Sequence, residues 1–135
     1  MSISENKKDV IFMTVAESLR KIRKAHKLTQ QDIANVLGVD RTTYTLYETG
    51  VTNPPIDALE KLSHMYNATI GYILGKEADN HAERLSKGGF VAEKDVDPVA
   101  YLPKDEKKLI ISYRVLSEKK KEEILAKMLE EHKKD

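Results

Sequence analysis

Along the first 75 residues, apolar side chains recur at three- and four-residue intervals in short blocks, each closed by a turn signal. Val15, Leu19, Ile22 and His26 form the first stripe. Thr14 and Glu17 have the spacing of a capping box, which predicts a helix over 15–26 and leaves 1–13 as an arm or an extra turn. In "LTQQDIANVLG", Thr29 is the cap, Leu28 and Ile33 are placed as a hydrophobic staple, and Gly38 is the stop. "VDRTTYTLYETG" repeats this grammar with Asp40, the pair Val39 and Tyr44, and Gly50. Its threonines and tyrosines favour strands, but the caps on either side predict a short helix over about 40–49 held by tertiary packing. Pro54-Pro55 opens a fourth helix with Ile56, Leu59, Leu62 and Tyr66 on one face, and Thr69 to Gly75 bound a fifth.

Residues 76–100 lose this periodicity. They are charged, contain Gly88-Gly89 and Pro98, and read as a linker with one apolar spot at Phe90-Val91. Helical signals return from Tyr101. Pro103 starts a helix carrying Leu109, Ile110, Tyr113 and Leu116, and Ser117 caps another with Ile124, Leu125, Met128 and Leu129 on one stripe. Ile111 and Val115 add a second apolar face. So small a hairpin cannot bury its apolar surface alone. Self-association through the eight stripe residues is the expected remedy, and docking on the N-terminal domain is the alternative. The expected organisation is all-α: a five-helix domain over 1–75 with its core at 14–75, a linker over 76–100, and a C-terminal helical oligomerisation element over 101–135.

Composition narrows the function. Apolar residues make up 40% and charged residues 33%, the balance of a soluble globular protein. No apolar run is long enough for a membrane span or a secretory signal, so no membrane partner is expected. The absence of cysteine excludes disulfides and thiol catalysis and suits a cytoplasmic location. His26, His64, His81 and His132 lack metal-ligand spacing, and there is no glycine-rich phosphate loop, so neither metal nor cofactor is expected. Net charge is only +1, so any nucleic-acid binding must rest on local charge. One basic cluster exists, at Arg20, Lys21, Arg23, Lys24 and Lys27.

The second and third helices, joined by "GVD", have helix-turn-helix spacing, in which the second member enters the major groove of DNA. On the helical wheel Tyr44, Tyr47 and Glu48 share one face, which must be the core face. Arg41, Thr42, Thr45 and Thr49 share the other. Short hydroxyl side chains suit close approach to base edges, and Arg41 can grip a guanine with two hydrogen bonds or clamp a phosphate.

From "LTQQDIANVLGVDRTTYTLYETG" through "PPIDALEKLSHMYNATIGYILG", residues 14–75 resemble the five-helix DNA-binding domain of the phage-repressor/Cro, or XRE, family. The joint spacing of Gln30, Ala34, Gly38, Glu48, Gly50 and Gly75 carries the resemblance, and "TNPPIDALEK" is similar to SinR-like regulators. The resemblance implies double-stranded DNA as partner; one small domain makes few contacts, so a homodimer is expected for affinity, and a symmetric dimer would read an inverted repeat. Arg41, Thr42, Thr45 and Leu46 would read bases; Gln30, Thr43, Thr52 and Asn53 would hold phosphates. Leu46 departs from the usual polar choice and either touches a thymine methyl or rests on its neighbours. Arg23 and Glu48 match a structural ion pair. The leading expectation is a dimeric repressor, with a protein antagonist as a further partner. The alternative is an antitoxin or adaptor whose C-terminal helices grip another protein. An enzyme is not expected: a self-cleaving peptidase domain needs more chain than follows residue 75, and no cyanase-like catalytic set is present.

Overall fold

The computed structural model describes residues 14–76 and 97–134, and all regular elements among them are helical. Its elements are α1 (Val15–Ala25), α2 (Gln30–Leu37), α3 (Arg41–Thr49), α4 (Ile56–Tyr66), α5 (Ile70–Ile73), a 3₁₀ turn (Pro98–Tyr101), α6 (Lys104–Arg114) and α7 (Glu118–Lys134). The expected arm over 1–13 and most of the linker, with Phe90-Val91, lie outside the described residues.

Local chemistry sets the boundaries of α1 to α5. Thr14 and Glu17 close a reciprocal capping box on α1, and Thr29 and Asp32 close another on α2. Asp40 accepts from the Thr43 backbone N–H at 2.8 Å to start α3, and Thr69 does the same for Tyr72 at α5. Gly50 ends α3 at φ +80°, in the left-handed region where a side chain would be strained.

The core gathers Leu19, Ile33, Leu62, Met65 and Ile73, all at 0% exposure, with Tyr44, Tyr47 and Tyr66 around them. Ile56, expected on the buried face of α4, is 67% exposed; Ala58 and Met65 are buried in that helix instead. Ile56 is the first residue of α4, so it lies at the mouth of the helix, away from the centre of the packed face.

The packed unit does not stop at Gly75. Val99 and Ile111 are buried in the same core, and Ala100 is buried beside them. The segment from Asp97 to Arg114 therefore closes over α1, α2 and α4, and the expected domain boundary at residue 100 falls inside it. Two cations fasten it. Lys107 Nζ donates to the His26 and Lys27 carbonyls at 3.1 and 3.3 Å, filling acceptors at the end of α1. Arg114 donates to the Met65 carbonyl at 3.0 Å and pairs with Asp97 at 3.1 Å. Asp97 in turn caps the 3₁₀ turn through the Val99 backbone N–H.

The C-terminal helices therefore do not form a hairpin set apart from the domain: α6 docks on it. Ile110, expected on the self-associating stripe, packs against the edge of the core because it flanks Ile111 on the docked face. Leu109 and Tyr113 point outward, Leu116 is half-buried, and α7 has no buried residue at all. Among the described residues no helix is long and apolar enough to cross a membrane.

Candidate nucleic-acid interface

Helix α3 is built with two unlike faces. Tyr44, Tyr47 and Glu48 are buried, and the two tyrosine rings meet edge to face at 6.1 Å between centroids. Arg41, Thr42 and Thr49 are exposed; Thr43, Thr45 and Leu46 are half-buried. Leu46 stands outside the hydrophobic core cluster, and its carbonyl receives the Val51 and Thr52 backbone N–H groups in the turn that ends the helix. Thr52 and Asn53 follow on the surface.

A buried polar network fixes α3 against α1 and α2. Arg23 grips Glu48 with two hydrogen bonds, Nε to Oε2 at 2.6 Å and Nη2 to Oε1 at 3.0 Å. Its Nη1 donates to the Leu28 carbonyl at 2.9 Å, so one guanidinium also braces the turn between α1 and α2. Gln30 Nε2 donates to Glu48 at 3.1 Å, and the Thr45 hydroxyl lies 2.9 Å from both Gln30 Oε1 and the Arg41 carbonyl. Burial favours the neutral acid at Glu48, but hydrogen bonds led by Arg23 outweigh it and hold the carboxyl below its ordinary range. The same pairing raises the Arg23 guanidinium. Burial, with Tyr66 and Glu48 nearby, pushes the Tyr44 phenol far above its usual range, so it stays neutral.

The structure thus brings Arg23, Gln30, Thr45 and Glu48 together in one cluster. Arg41 joins them at the rim of a groove lined also by Leu28, Thr29 and Gln31. Through that groove the N-terminal ends of α2 and α3 share one surface. The dipole of each helix and its first-turn N–H groups favour an anion there. The engagement of Thr45 with Gln30 was not visible in the sequence. The two lie 15 residues apart, and neither cap nor periodicity links them. Among the described residues no group of His, Asp and Glu is arranged to hold a metal ion.

Residues 19–73 match the model of the helix-turn-helix family. The chain is 35% identical over 82 residues to the HTH-type transcriptional regulator YobD of Bacillus subtilis, covering 59% of this chain and 73% of that one. It is 31% identical over 70 residues to the cryptic phage CTXphi transcriptional repressor RstR of Vibrio cholerae, covering 52% and 63% of the two chains. It is 30% identical over 95 residues to YonR, an SPbeta prophage-derived HTH-type transcriptional regulator of Bacillus subtilis, covering 63% and 88%. No solved structure gave a significant match. With a matched helix-turn-helix model, regulator relatives along most of their own length, and α2 and α3 packed as that motif requires, the chain belongs to the XRE-type helix-turn-helix family of DNA-binding transcriptional regulators.

Proposed function

We propose that the chain acts as a dimeric repressor that reads an inverted repeat with α3 in the major groove. The observation that carries this reading is the two-faced α3. Tyr44, Tyr47 and Glu48 anchor it, while Arg41 and Thr42 stand exposed beside the start of α2. Arg41 reads a base edge, and the methyls of Thr42, Thr45 and Leu46 meet thymine methyls. Thr45 serves through its methyl because its hydroxyl is held by Gln30. Gln30 spends its carbonyl on Thr45 and one N–H on Glu48, leaving the second N–H for a phosphate. Thr43, Thr52 and Asn53 take further phosphates and set the register. Similarity to a phage repressor supports repression as the outcome of binding.

Pairing follows from the outward apolar residues Leu109, Tyr113, Ile124, Leu125, Met128 and Leu129. Joining two reading heads makes the second contact intramolecular and raises affinity without new contacts. The same uncovered stripe favours a second reading, in which α7 grips a different protein, as an antitoxin or adaptor does.

Selection from random duplex DNA, with mass measurement of the complex, tests these readings together. The expected product is an inverted repeat with half-sites about 10 bp apart or a multiple, bound by two chains. Enrichment of no motif would sink the DNA reading. A motif without symmetry, bound by one chain, would remove the dimer and leave the α7 stripe to a foreign partner. Within a selected site, Arg41→Ala should cost about 1–3 kcal/mol at one base pair per half-site; an equal loss on every sequence would assign Arg41 to a phosphate.

A further inference from the structure

Helix α6 carries charge to the first turn of α2. Lys108 Nζ lies 3.8 Å from Asp32 Oδ1, and Asp32 is the third residue of α2, within one turn of Gln30 and Gln31. Lys104 sits one turn earlier on the same face of α6. Lys27, in the turn before α2, lies with its ammonium 4.9 Å from the centre of the Tyr101 ring. Four ammonium groups from segments some 80 residues apart thus converge on the entry to α2: Lys27, Lys104, Lys107 and Lys108.

The carboxylates nearby do not balance them. Asp32 is buried and already accepts the Thr29 backbone N–H at 2.9 Å. Burial raises its carboxyl, but the Thr29 hydrogen bonds and then the charges of Lys108 and Lys104 bring it below the usual value. Lys27 and Lys104 pair with no carboxylate among the described residues, and Lys108 is half exposed with only the long contact to Asp32. Asp105 lies one turn before Lys108 and is its neighbour on the surface of α6 but forms no ion pair with it, while Glu106 occupies another side of the helix. Lys107 is spent internally on the His26 and Lys27 carbonyls. Three lysines are left facing outward beside a helix start that itself favours anions.

We propose that Lys27, Lys104 and Lys108 form a second phosphate-contact patch, through which α6 extends the DNA footprint beyond the outer edge of the half-site read by α3. The proposal rests on the DNA reading of α3. It gives α6 a part in binding that is separate from dimerisation. The overall charge of +1 fits this division, because affinity then depends on where the lysines converge and not on their total.

The test uses the full chain and its selected duplex, with affinity measured across a salt series. Lys104→Gln/Lys108→Gln should make the slope of log K against log salt shallower by about 1.8 for each half-site, hence about 3.6 for the two-chain complex, roughly 0.9 for each lost phosphate contact. Affinity at 0.1 M salt should fall about tenfold or more, equally on matched and mismatched sequences. Lys104→Arg/Lys108→Arg should retain the wild-type slope. Lys133→Gln/Lys134→Gln, at the end of α7, removes the same charge and should leave the slope alone. A wild-type slope in the Lys104→Gln/Lys108→Gln variant, or an equal drop in the α7 control, overturns the patch while the reading of α3 stands. A wild-type chain that enriches no motif overturns the reading of α3 itself. Thermal melting of each variant separates these outcomes from loss of fold.

Discussion

Helices α6 and α7 are both charged and amphipathic, and only residues 115–117 separate them, yet one is part of the domain core and the other touches almost nothing. In α6, Ile111 is 1% exposed and two long cations end on backbone carbonyls of other helices. In α7 the apolar residues Leu125, Met128 and Leu129 are each about half exposed. The apolar stripes of the two helices are of similar size. The difference lies in what lies opposite: α6 meets unfilled acceptors at the ends of α1 and α4, and α7 meets none. An apolar stripe states that a helix needs a partner. The polar groups beside it decide whether that partner is its own domain.

The largest expected effect comes from removing the apolar anchor of α6. Ile111→Ala should destabilise the domain by about 2–5 kcal/mol. The melting temperature should then drop by roughly 10 °C or more, read by calorimetry or circular dichroism. Leu125→Ala in α7 should move it by no more than about 0.5 kcal/mol of stability. Equal losses at both positions would erase the distinction between the helices.

Lys107→Met tests the polar half of the same contact. It keeps the aliphatic stem but leaves the His26 and Lys27 carbonyls without their donor, at a cost of about 1–3 kcal/mol. Denaturant midpoints measure it. A neutral result would mean that Ile111 alone recruits α6.

The acid limb of stability gives a smaller signal from the same region. His26 is 1% exposed, with its ring 4.7 Å from that of Tyr66, and Asp97, Arg114 and Lys107 act on it from the docked segment. Burial holds its imidazole below the ordinary value, so the unfolded chain takes up the proton first. Above about pH 6.5 both states are neutral and nothing is lost. As pH falls through that value stability declines, by at most about 1.4 kcal/mol per pH unit for this one group. Asp32 and Glu48, both held low, add their losses only in the carboxylate range below. Urea midpoints at pH 7 and 5.5 should therefore differ in the wild type, and differ less in His26→Asn. An unchanged slope in that variant would assign the acid limb elsewhere.

Short-range grammar located most of the elements, and it failed where contacts cross the chain. Thr14 with Glu17, Thr29, Asp40, Gly38 and Gly50 act within four residues of themselves, so their roles could be read directly. The aromatic face of α3 was readable for the same reason, since one helical wheel contains it. The docking of the C-terminal segment could be named only as an alternative, because what decides for it was not readable. It depends on Lys107 reaching carbonyls 80 residues earlier and on Arg114 reaching Met65. Those long cations look like solvated charges in sequence. The candidate site divides likewise: exposure of Arg41 and Thr42 follows from the wheel, whereas the capture of the Thr45 hydroxyl by Gln30 needs the packing of α2 on α3.

The smallest effect on the domain is expected from the largest change to α7. Leu125→Ser with Leu129→Ser should leave the melting of α1 to α6 unchanged, because no residue of α7 is buried in it. What should change is helix content at concentrations where the wild type pairs. A lone helix of this length is marginal in water. If α7 is held by a second copy, its contribution to the far-ultraviolet signal rises with protein concentration, since each tenfold increase favours the paired state by about 1.4 kcal/mol per dimer. The double variant should keep the low helix content of the dilute wild type at every concentration and show the mass of a single chain by sedimentation. A wild type whose helix signal and mass ignore dilution across the micromolar range would remove the second copy as the occupant of this face, and would leave it to a different protein.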